Sequence, residues 1–421
     1  MNISDFLKEE WVPALGCTEP ASIALCTAAA SEGLEGNIEK VALTVDPKIY
    51  KNCYAVGIPA SSHKTGILWA AAIGASIRDP SPGLECFGRI TPAVMDEAGT
   101  LIKEHRAGVT VDTAKKDLYI SCKIETSKET GEAIISGYHT NLIRVVKNGK
   151  VVLERPAKEK GAITLLREKI AAMPIEELIG ISEKITQADG KKLQEGIALN
   201  LKIAEHGLSL FPERFVKLAS TDALTRMSML VCAGVYARMW GEDFPVMSLS
   251  GSGNKGITAS IPIAVHAKVL GKSSADAQRA LALACLLTSA TTHHLGSLSA
   301  VCGCSNAAGI GLSAGLVLLE GGGASEISLA INNMVGNVTG MICDGAKIGC
   351  ALKTMTAVDA AFRASSLALS GIGIPKTDGI VGETGILSLE NLGRIATSGM
   401  ISTDSEILKI MQEKLRRQST P

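Results

Sequence analysis

Hydrophobic positions along the chain change their period near residue 39 and again after Pro156. Up to about residue 35 they fall at helical spacing, with a break at Pro13 and a turn at Leu15-Gly16-Cys17-Thr18-Glu19-Pro20. From about 39 to 156 the pattern alternates: Val41–Val45, Leu118–Ile124, Leu142–Val146 and Val151–Leu153 predict strands. Asn148-Gly149 between the last two is the signature of a two-residue hairpin turn. Helical spacing returns within this region at Trp69–Arg78 and Ile90–His105. Beyond Pro156 strand signals nearly vanish, and segments 161–172, 192–208, 215–239, 257–270, 274–288, 306–319, 324–340 and 350–370 predict helices. Several are apolar almost all round, which places them inside a bundle. The tail from Asp404 to Arg417 reads as an amphipathic helix on the outside.

These patterns give an α+β fold: a mostly helical bundle with a smaller N-terminal α+β domain. The expected division is a helical segment 1–35 packing on the bundle, a small α+β domain 36–158 and an all-helical domain 159–421. A chain of 421 residues with 46% apolar content has ample material for a large core. No repeat of solenoid length stands out.

Lysine plus arginine and aspartate plus glutamate both number 42, and aromatics are 3%, which argues against nucleic acid as a partner. The N-terminus has neither a basic start nor an apolar core, and apolar runs are cut by Lys268, His293-His294 or Glu320. The expectation is a cytoplasmic protein with no membrane partner. Eleven cysteines in a reducing compartment then point away from disulfides and toward metal or catalysis.

Cys26, Cys53, Cys86, Cys122, Cys232 and Cys285 each stand alone in apolar context and read as small core residues. Cys302-Gly303-Cys304 and the pair Cys343 and Cys350 are crowded by glycines. Continuous helix from 343 to 350 would separate the two side chains by about 10 Å, too far for one compact centre. Gly345 and Gly349 allow a loop instead. In an extended Cys-Gly-Cys the two cysteines stand about 6.5–7 Å apart, so one of Cys302 and Cys304 is expected to join Cys343 and Cys350. Three thiolates suit an iron–sulfur cluster, and less readily a zinc site.

Gly303-Cys304-Ser305-Asn306-Ala307-Ala308-Gly309 and Cys343-Asp344-x5-Cys350 resemble the cluster motifs of bacterial iron–sulfur L-serine dehydratases. With Gly16-Cys17-Thr18-Glu19-Pro20 and Cys-Gly-Cys-Ser, nearly the whole chain is more similar still to the L-cysteine desulfidase family. That resemblance implies a 4Fe-4S cluster held by Cys304, Cys343 and Cys350, with Cys302 the substitute for Cys304. It also implies that Cys17 is the proton acceptor. Unlike some serine dehydratases, this chain has no cysteine after Cys350, so the fourth iron is expected to be open to substrate or capped by Cys17.

Gly251-Ser252-Gly253-Asn254-Lys255-Gly256 satisfies G-x-G-x-x-G, but Asp276 begins a helix rather than ending a second strand, so a dinucleotide fold is disfavoured. The loop reads better as an anion nest at a helix N-terminus. A similar Asn-Gly loop in serine dehydratases holds the substrate carboxylate, which implies that role for Ser252, Asn254 and Lys255. Pro59–Gly66 is either a helix cap or, by its similarity to a Ser-Ser-His-Thr segment there, a second substrate loop carrying Ser62, His63 and Lys64. Adjacent His293 and His294 point about 100° apart, so one, taken as His294, serves cluster or substrate. Glu19 is a candidate for the substrate amino group or for orienting a base.

The implied reaction is cleavage of L-cysteine to hydrogen sulfide, ammonia and pyruvate by β-elimination, with a small amino acid as the ligand and a homodimer as the expected assembly. The alternatives are an iron–sulfur L-serine dehydratase, a non-catalytic iron–sulfur redox sensor and a zinc-bound structural protein.

Overall fold

A strand that alternates buried and exposed residues needs a cover on one side, and the first half of the chain supplies strands and cover together. The computed structural model describes residues 1–421 apart from 116, 157–161, 219–221, 297–298 and 419–421. It opens with α1 (Ile3–Glu10), β1 (Trp11–Leu15) and α2 (Thr18–Ser31). Then come β2 (Ile38–Val45), α3 (Pro47–Cys53), α4 (Ile67–Ile77), α5 (Pro92–Lys103) and β3 (Ala107–Val111). The meander β4 (Tyr119–Thr126), β5 (Thr130–Ser136), β6 (Leu142–Lys147) and β7 (Lys150–Glu154) completes a six-stranded sheet in the order β3-β2-β4-β5-β6-β7.

Within that sheet β2 and β3 pair in parallel, and the remaining neighbours are antiparallel. At the β6–β7 turn Asn148 and Gly149 both take positive φ, 50° and 75°, the geometry expected of Asn-Gly. Ile120, Cys122 and Ile124 of β4 turn inward, where the alanine-rich α2 lies on the sheet. Small side chains let α2 approach closely on its other side too, since Gly74 of α4 lies against Ala24 and Thr27. Lys147 donates to the carbonyls of Ala29, Ala30 and Glu32, satisfying acceptors at the C-terminal end of α2.

The second half is helical, as its periodicity predicts. It runs α6 (Ala162–Ala171), α7 (Ile175–Ser182), α8 (Gln187–Leu208), α9 (Glu213–Leu218), α10 (Ala223–Trp240), the short β8 (Pro245–Leu249) and α11 (Gly253–Val269). It continues with α12 (Ser274–Leu295), α13 (Asn306–Leu319), α14 (Ala324–Val338), α15 (Gly349–Leu369), α16 (Gly385–Arg394) and α17 (Ile401–Gln418). The helix expected from 161 starts on a residue outside the described ones. The stretch 215–239 resolves into α9 and α10, with 219–221 also outside and Asp222 capping α10. Helix α12 runs on to Leu295 and so carries both adjacent histidines. Among the described residues no helix is long and apolar enough to cross a membrane.

The break at Pro13 is a strand rather than a loop. β1 pairs antiparallel with β8, Trp11 opposite Leu249 and Pro13 opposite Met247. Segment 1–35 therefore divides: α1 and β1 belong to the helical body, and α2 to the sheet. The junction is anchored by the fully buried Trp11, whose Nε1 donates to the Lys192 carbonyl at 3.2 Å. Its indole occupies the space beside Gly196, where an added Cβ would stand 2.4–2.6 Å from ring atoms. Gly196→Ala is expected to lower stability by about 1–3 kcal/mol through this overlap, read as a lower urea midpoint at unchanged slope.

Candidate active site

Two glycine-bearing loops meet at the end of the helical body. Cys302 N donates to Met341 O at 2.8 Å and Cys343 N donates to Ala300 O at 2.6 Å, so the loops around 300–305 and 341–350 pair as a short antiparallel ladder. Gly345, at φ 98°, lies against the Lys51 carbonyl where no side chain fits, and it turns the second loop back on itself. Cys350 is the second residue of α15, and its Sγ lies 3.5 Å from Gly345 O. Cys302-Gly303-Cys304 forms a turn, not an extended strand, and its two sulfurs take different neighbours. Cys302 Sγ is 3.4 Å from Ser305 Oγ, whereas Cys304 Sγ is 3.5 Å from Ser252 Oγ.

All eleven cysteines are free thiols. Burial raises the Cys350 thiol well above the ordinary range, and the nearby Cys302, Cys304 and Cys343 thiols add to that shift. The four sulfurs therefore share one electrostatic neighbourhood. Cys17 borders it: burial pushes its thiol up to about 12, Arg238 opposes the shift, and Glu19 and Cys304 reinforce it.

Helix N-termini converge on this point. Cys17 is the N-cap of α2, Ser252 of α11, Ser305 of α13 and Ile348 of α15, and none of the four makes a side-chain cap hydrogen bond. Elsewhere Asn2, Asp46, Thr91, Thr186, Asp222, Ser273 and Thr384 do cap their helices, while α4 and α7 open on Gly66 and Pro174 and have no side-chain cap. Ser252 and Ser305 carry the right hydroxyl for the task, yet each turns it to a cysteine sulfur. In α13 the amides of Asn306 and Ala307 already donate to Cys302 O and Gly303 O, and in α15 those of Cys350 and Ala351 donate to Lys347 O and Ile348 O. The first-turn amides and positive ends of α2 and α11 are therefore the ones left for an anion.

Buried cations complete the wall. Arg238 of α10 is 4% exposed, donates to Asn254 Oδ1 at 2.9 Å and to Gly16 O at 2.6 Å, and packs on Gly253. Lys255 donates to Ser250 O at 3.3 Å and Thr292 Oγ1 at 3.0 Å, with its stem against Gly303. Burial and the charge of Arg167 push Lys255 down to about 8, against the pull of Cys304, Glu10 and Cys302. Arg167 itself forks onto both carboxylate oxygens of the buried Glu10, which also accepts from Ser289 Oγ at 3.3 Å. Ser250 and Gly251, at φ 49° and 76°, make the turn that leads β8 into α11.

Cys17, Ser252, Asn254, Lys255, Cys304, Cys343 and Cys350 thus come together. Within this group Asn254 is committed to Arg238 and to Met239 Sδ, and the Ser252 hydroxyl to Cys304 Sγ, so the α11 amides are the groups left for a ligand. Glu19 lies in the first turn of α2, its Oε2 accepting from Thr18 Oγ1. Ser62, His63 and Lys64 sit one layer out. Ser62 and His63 are exposed with left-handed φ, and His63 Nδ1 lies 3.3 Å from Trp240 O. Ser62 and Lys64 line a separate cleft of about 410 Å³ with Trp69, Met95 and Asp96. The loop reaches the cysteines through Pro59, which packs on Gly16.

His294 lies on another face. Thr292 meets Lys255, and two residues on is a 200° rotation, which turns His294 toward Gly393 of α16. Sequence reasoning did not find Arg238, Arg167 or Glu10. Arg238 had a signal, a lone charge near the end of the apolar run 227–240.

Among the described residues no three His, Cys, Asp or Glu side chains close on a common point as a single ion requires, which disfavours the zinc reading. Each thiolate of a cluster binds its own iron, so cluster ligands stand farther apart than those of one ion. Buried thiols, serine hydroxyls on sulfur and uncapped helix ends fit such an anionic group, whose binding displaces the thiol protons.

The serine dehydratase alpha chain family profile matches residues 91–409. That range takes in Ser252 through Cys350 but not Cys17, Glu19 or the 59–66 loop. Whole-chain relatives do span those positions. The chain is 36% identical to a UPF0597 protein of Desulfatibacillum aliphaticivorans over 98% of both chains. It is likewise 36% identical to one of Desulfotalea psychrophila over 99% of each.

Burial, with His293 beside it, lowers His294 to about 4. The unfolded chain therefore takes up this proton first, and stability is lost as pH falls from about 6.5 toward 4. His294→Asn is expected to flatten that loss, measured as the change in urea midpoint between about pH 7.5 and about pH 5.

Proposed function

We propose, for a chain that belongs to the serine dehydratase alpha chain family and is thereby a dehydratase-type lyase, that it cleaves L-cysteine to hydrogen sulfide, ammonia and pyruvate. The observation that carries this reading is the contact of Ser252 Oγ with Cys304 Sγ at 3.5 Å. It sets the anion-binding end of α11 directly beside a candidate cluster ligand, so a carboxylate and a β-heteroatom of one small substrate can be held together.

Cys304, Cys343 and Cys350 are the residues that would hold a 4Fe-4S cluster, with Cys302 close enough to replace Cys304. Such a cluster supplies Lewis acidity toward a departing sulfur or oxygen. The chain's own groups do the rest. Amides of the first turn of α11 receive the substrate carboxylate, Ser252 holds that turn against Cys304, and Arg238 fixes it through Asn254. Lys255, buried behind Gly303, balances the negative charge of thiolates in a place closed to solvent. Glu19, near the N-terminus of α2, is available to the substrate ammonium. Cys17 retains its proton because burial outweighs Arg238, so it presents a neutral thiol and does not compete as a fourth thiolate. This differs from the proton-acceptor role that the family resemblance implies.

The second reading keeps the architecture and takes L-serine as substrate; the family's own name favours it. A cytoplasmic protein acting as a homodimer is part of the proposal. The test is anaerobic reconstitution with iron and sulfide, followed by parallel assays of pyruvate from L-cysteine and L-serine and of sulfide from L-cysteine. Sulfide with pyruvate supports the desulfidase, and pyruvate from L-serine alone supports the dehydratase. Activity on neither substrate in a protein that carries its chromophore leaves the redox sensor.

Cys304→Ala, Cys343→Ala and Cys350→Ala are each expected to bleach the brown absorbance and abolish turnover. Retention of full iron in any two would overturn the ligand set. Cys17→Ser, which keeps a small neutral group there, is expected to keep both the absorbance and turnover; loss of turnover alone would restore Cys17 as the proton acceptor, and loss of absorbance would make it a ligand.

A further inference from the structure

We infer that His139, in the β5–β6 turn, is the group that takes the α-proton of the substrate; this rests on the lyase reading above. The turn is a rigid platform. Ser136 N donates to Asn141 O at 3.1 Å, Asn141 Nδ2 to Ser136 O at 2.7 Å and Gly137 N to Leu118 O at 2.9 Å. Its link to the site is Ser22 of α2, whose Oγ donates to His139 O at 2.6 Å, one turn beyond Glu19. The ring is partly buried, and its Nε2 is fully shielded with no hydrogen-bond partner. An imidazole nitrogen sealed from water and left unpaired is unfavourable unless a ligand meets it.

The charged groups around the ring narrow its role. Glu19, Asp46 and Arg167 lie within its electrostatic reach. Asp46 is fully engaged, its oxygens accepting from Lys48 N, Ile49 N and Tyr119 N. Arg167 is forked on Glu10. Glu19 alone has no cation within pairing distance among the described residues, so it is the carboxylate free to steady an imidazolium. Ser22 stands five residues after the Cys17 N-cap, about 7.5 Å along the axis of α2, so the turn that carries His139 is anchored on the helix that brings Cys17 and Glu19 to the cysteine site. Burial lowers the ring's proton affinity despite Glu19 and Asp46, so it enters the reaction neutral and able to accept.

The step balances without an added reagent. The Cα–H bond breaks and an Nε2–H bond forms. The Cα–H electron pair becomes the Cα=Cβ bond, and the β-heteroatom leaves with the electrons of its bond to Cβ. The aminoacrylate released hydrolyses to pyruvate and ammonia, and the imidazolium returns its proton to water.

His139→Asn in reconstituted enzyme is expected to lower kcat by about 10²–10⁴-fold with KM moved less than about threefold and the cluster absorbance intact. His139→Gly is expected to recover activity with added imidazole, and its pH profile to follow the added base. A purely structural role would show no such rescue. Retention of more than about a tenth of wild-type kcat in His139→Asn would overturn the inference while leaving the lyase reading standing. An independent readout uses histidine-labelled wild-type protein, with the His139 imidazole signal assigned from His139→Asn. The signal is expected to shift on addition of L-cysteine or L-serine. Turnover without that shift overturns the inference alone; no turnover and no shift overturns it together with the lyase reading.

Discussion

Four helix N-termini gather around a set of buried cysteines, and the positive potential they bring calls for negative charge there; much of the architecture follows from that need. All four bring a positive end without a capping side chain, and α2 and α11 also bring unpaired first-turn amides, whereas those of α13 and α15 are already taken by the carbonyls of the preceding loops. Proteins normally relieve such strain locally, as Asp46, Thr186 and Ser273 do here. Instead cysteines occupy or adjoin these positions, and the hydroxyls that could cap are turned onto sulfur. Arg238 and Lys255 add two buried positive side chains to the same region. A thiolate-held anionic group and a carboxylate substrate answer that excess of positive potential together.

The metal-free state is consequently one of compromise. Burial raises the Cys304, Cys343 and Cys350 thiols, so without iron they keep their protons and the helix ends meet only neutral sulfur. Filling the site exchanges protons for metal, and the free energy of that exchange adds to folding. The buried Glu10–Arg167 pair is already balanced by contrast, each charge meeting its opposite in a two-pronged contact. Its task is mechanical: it ties α1 and α6 together beside the turn at Ser250-Gly251.

Local patterns made the fold legible wherever a pattern was long. Segments 306–319, 324–340 and 350–370 are helices in the structure within a residue or two of their apolar limits. The Asn148-Gly149 hairpin was readable from two residues, because few other pairs accept positive φ twice. Short or interrupted elements were not. The strand β1 contains Pro13 and exists because β8 pairs with it from far along the chain; β5 carries Gly131, which weakens any strand signal. The cysteine motifs marked the site from their spacing and glycines. The histidines were harder. His139 looks ordinary in sequence and acquires meaning from a turn laid against α2, whereas the adjacent pair at 293–294 drew attention that the rotation of α12 redirects for His294.

The pairing of β1 with β8 also governs the order in which this molecule can be assembled. Val12 waits for Ser248, 236 positions later, and at ribosomal speeds of 5–20 residues per second that interval is about 12–47 s. Trp11 meets its seat at Lys192 and Gly196 earlier in that interval, but β1 has no partner strand until its end, while the six-stranded sheet can already close over α2. One edge of β1 thus stays open to other strands until the closing strand emerges, a cost that a local hairpin would not carry.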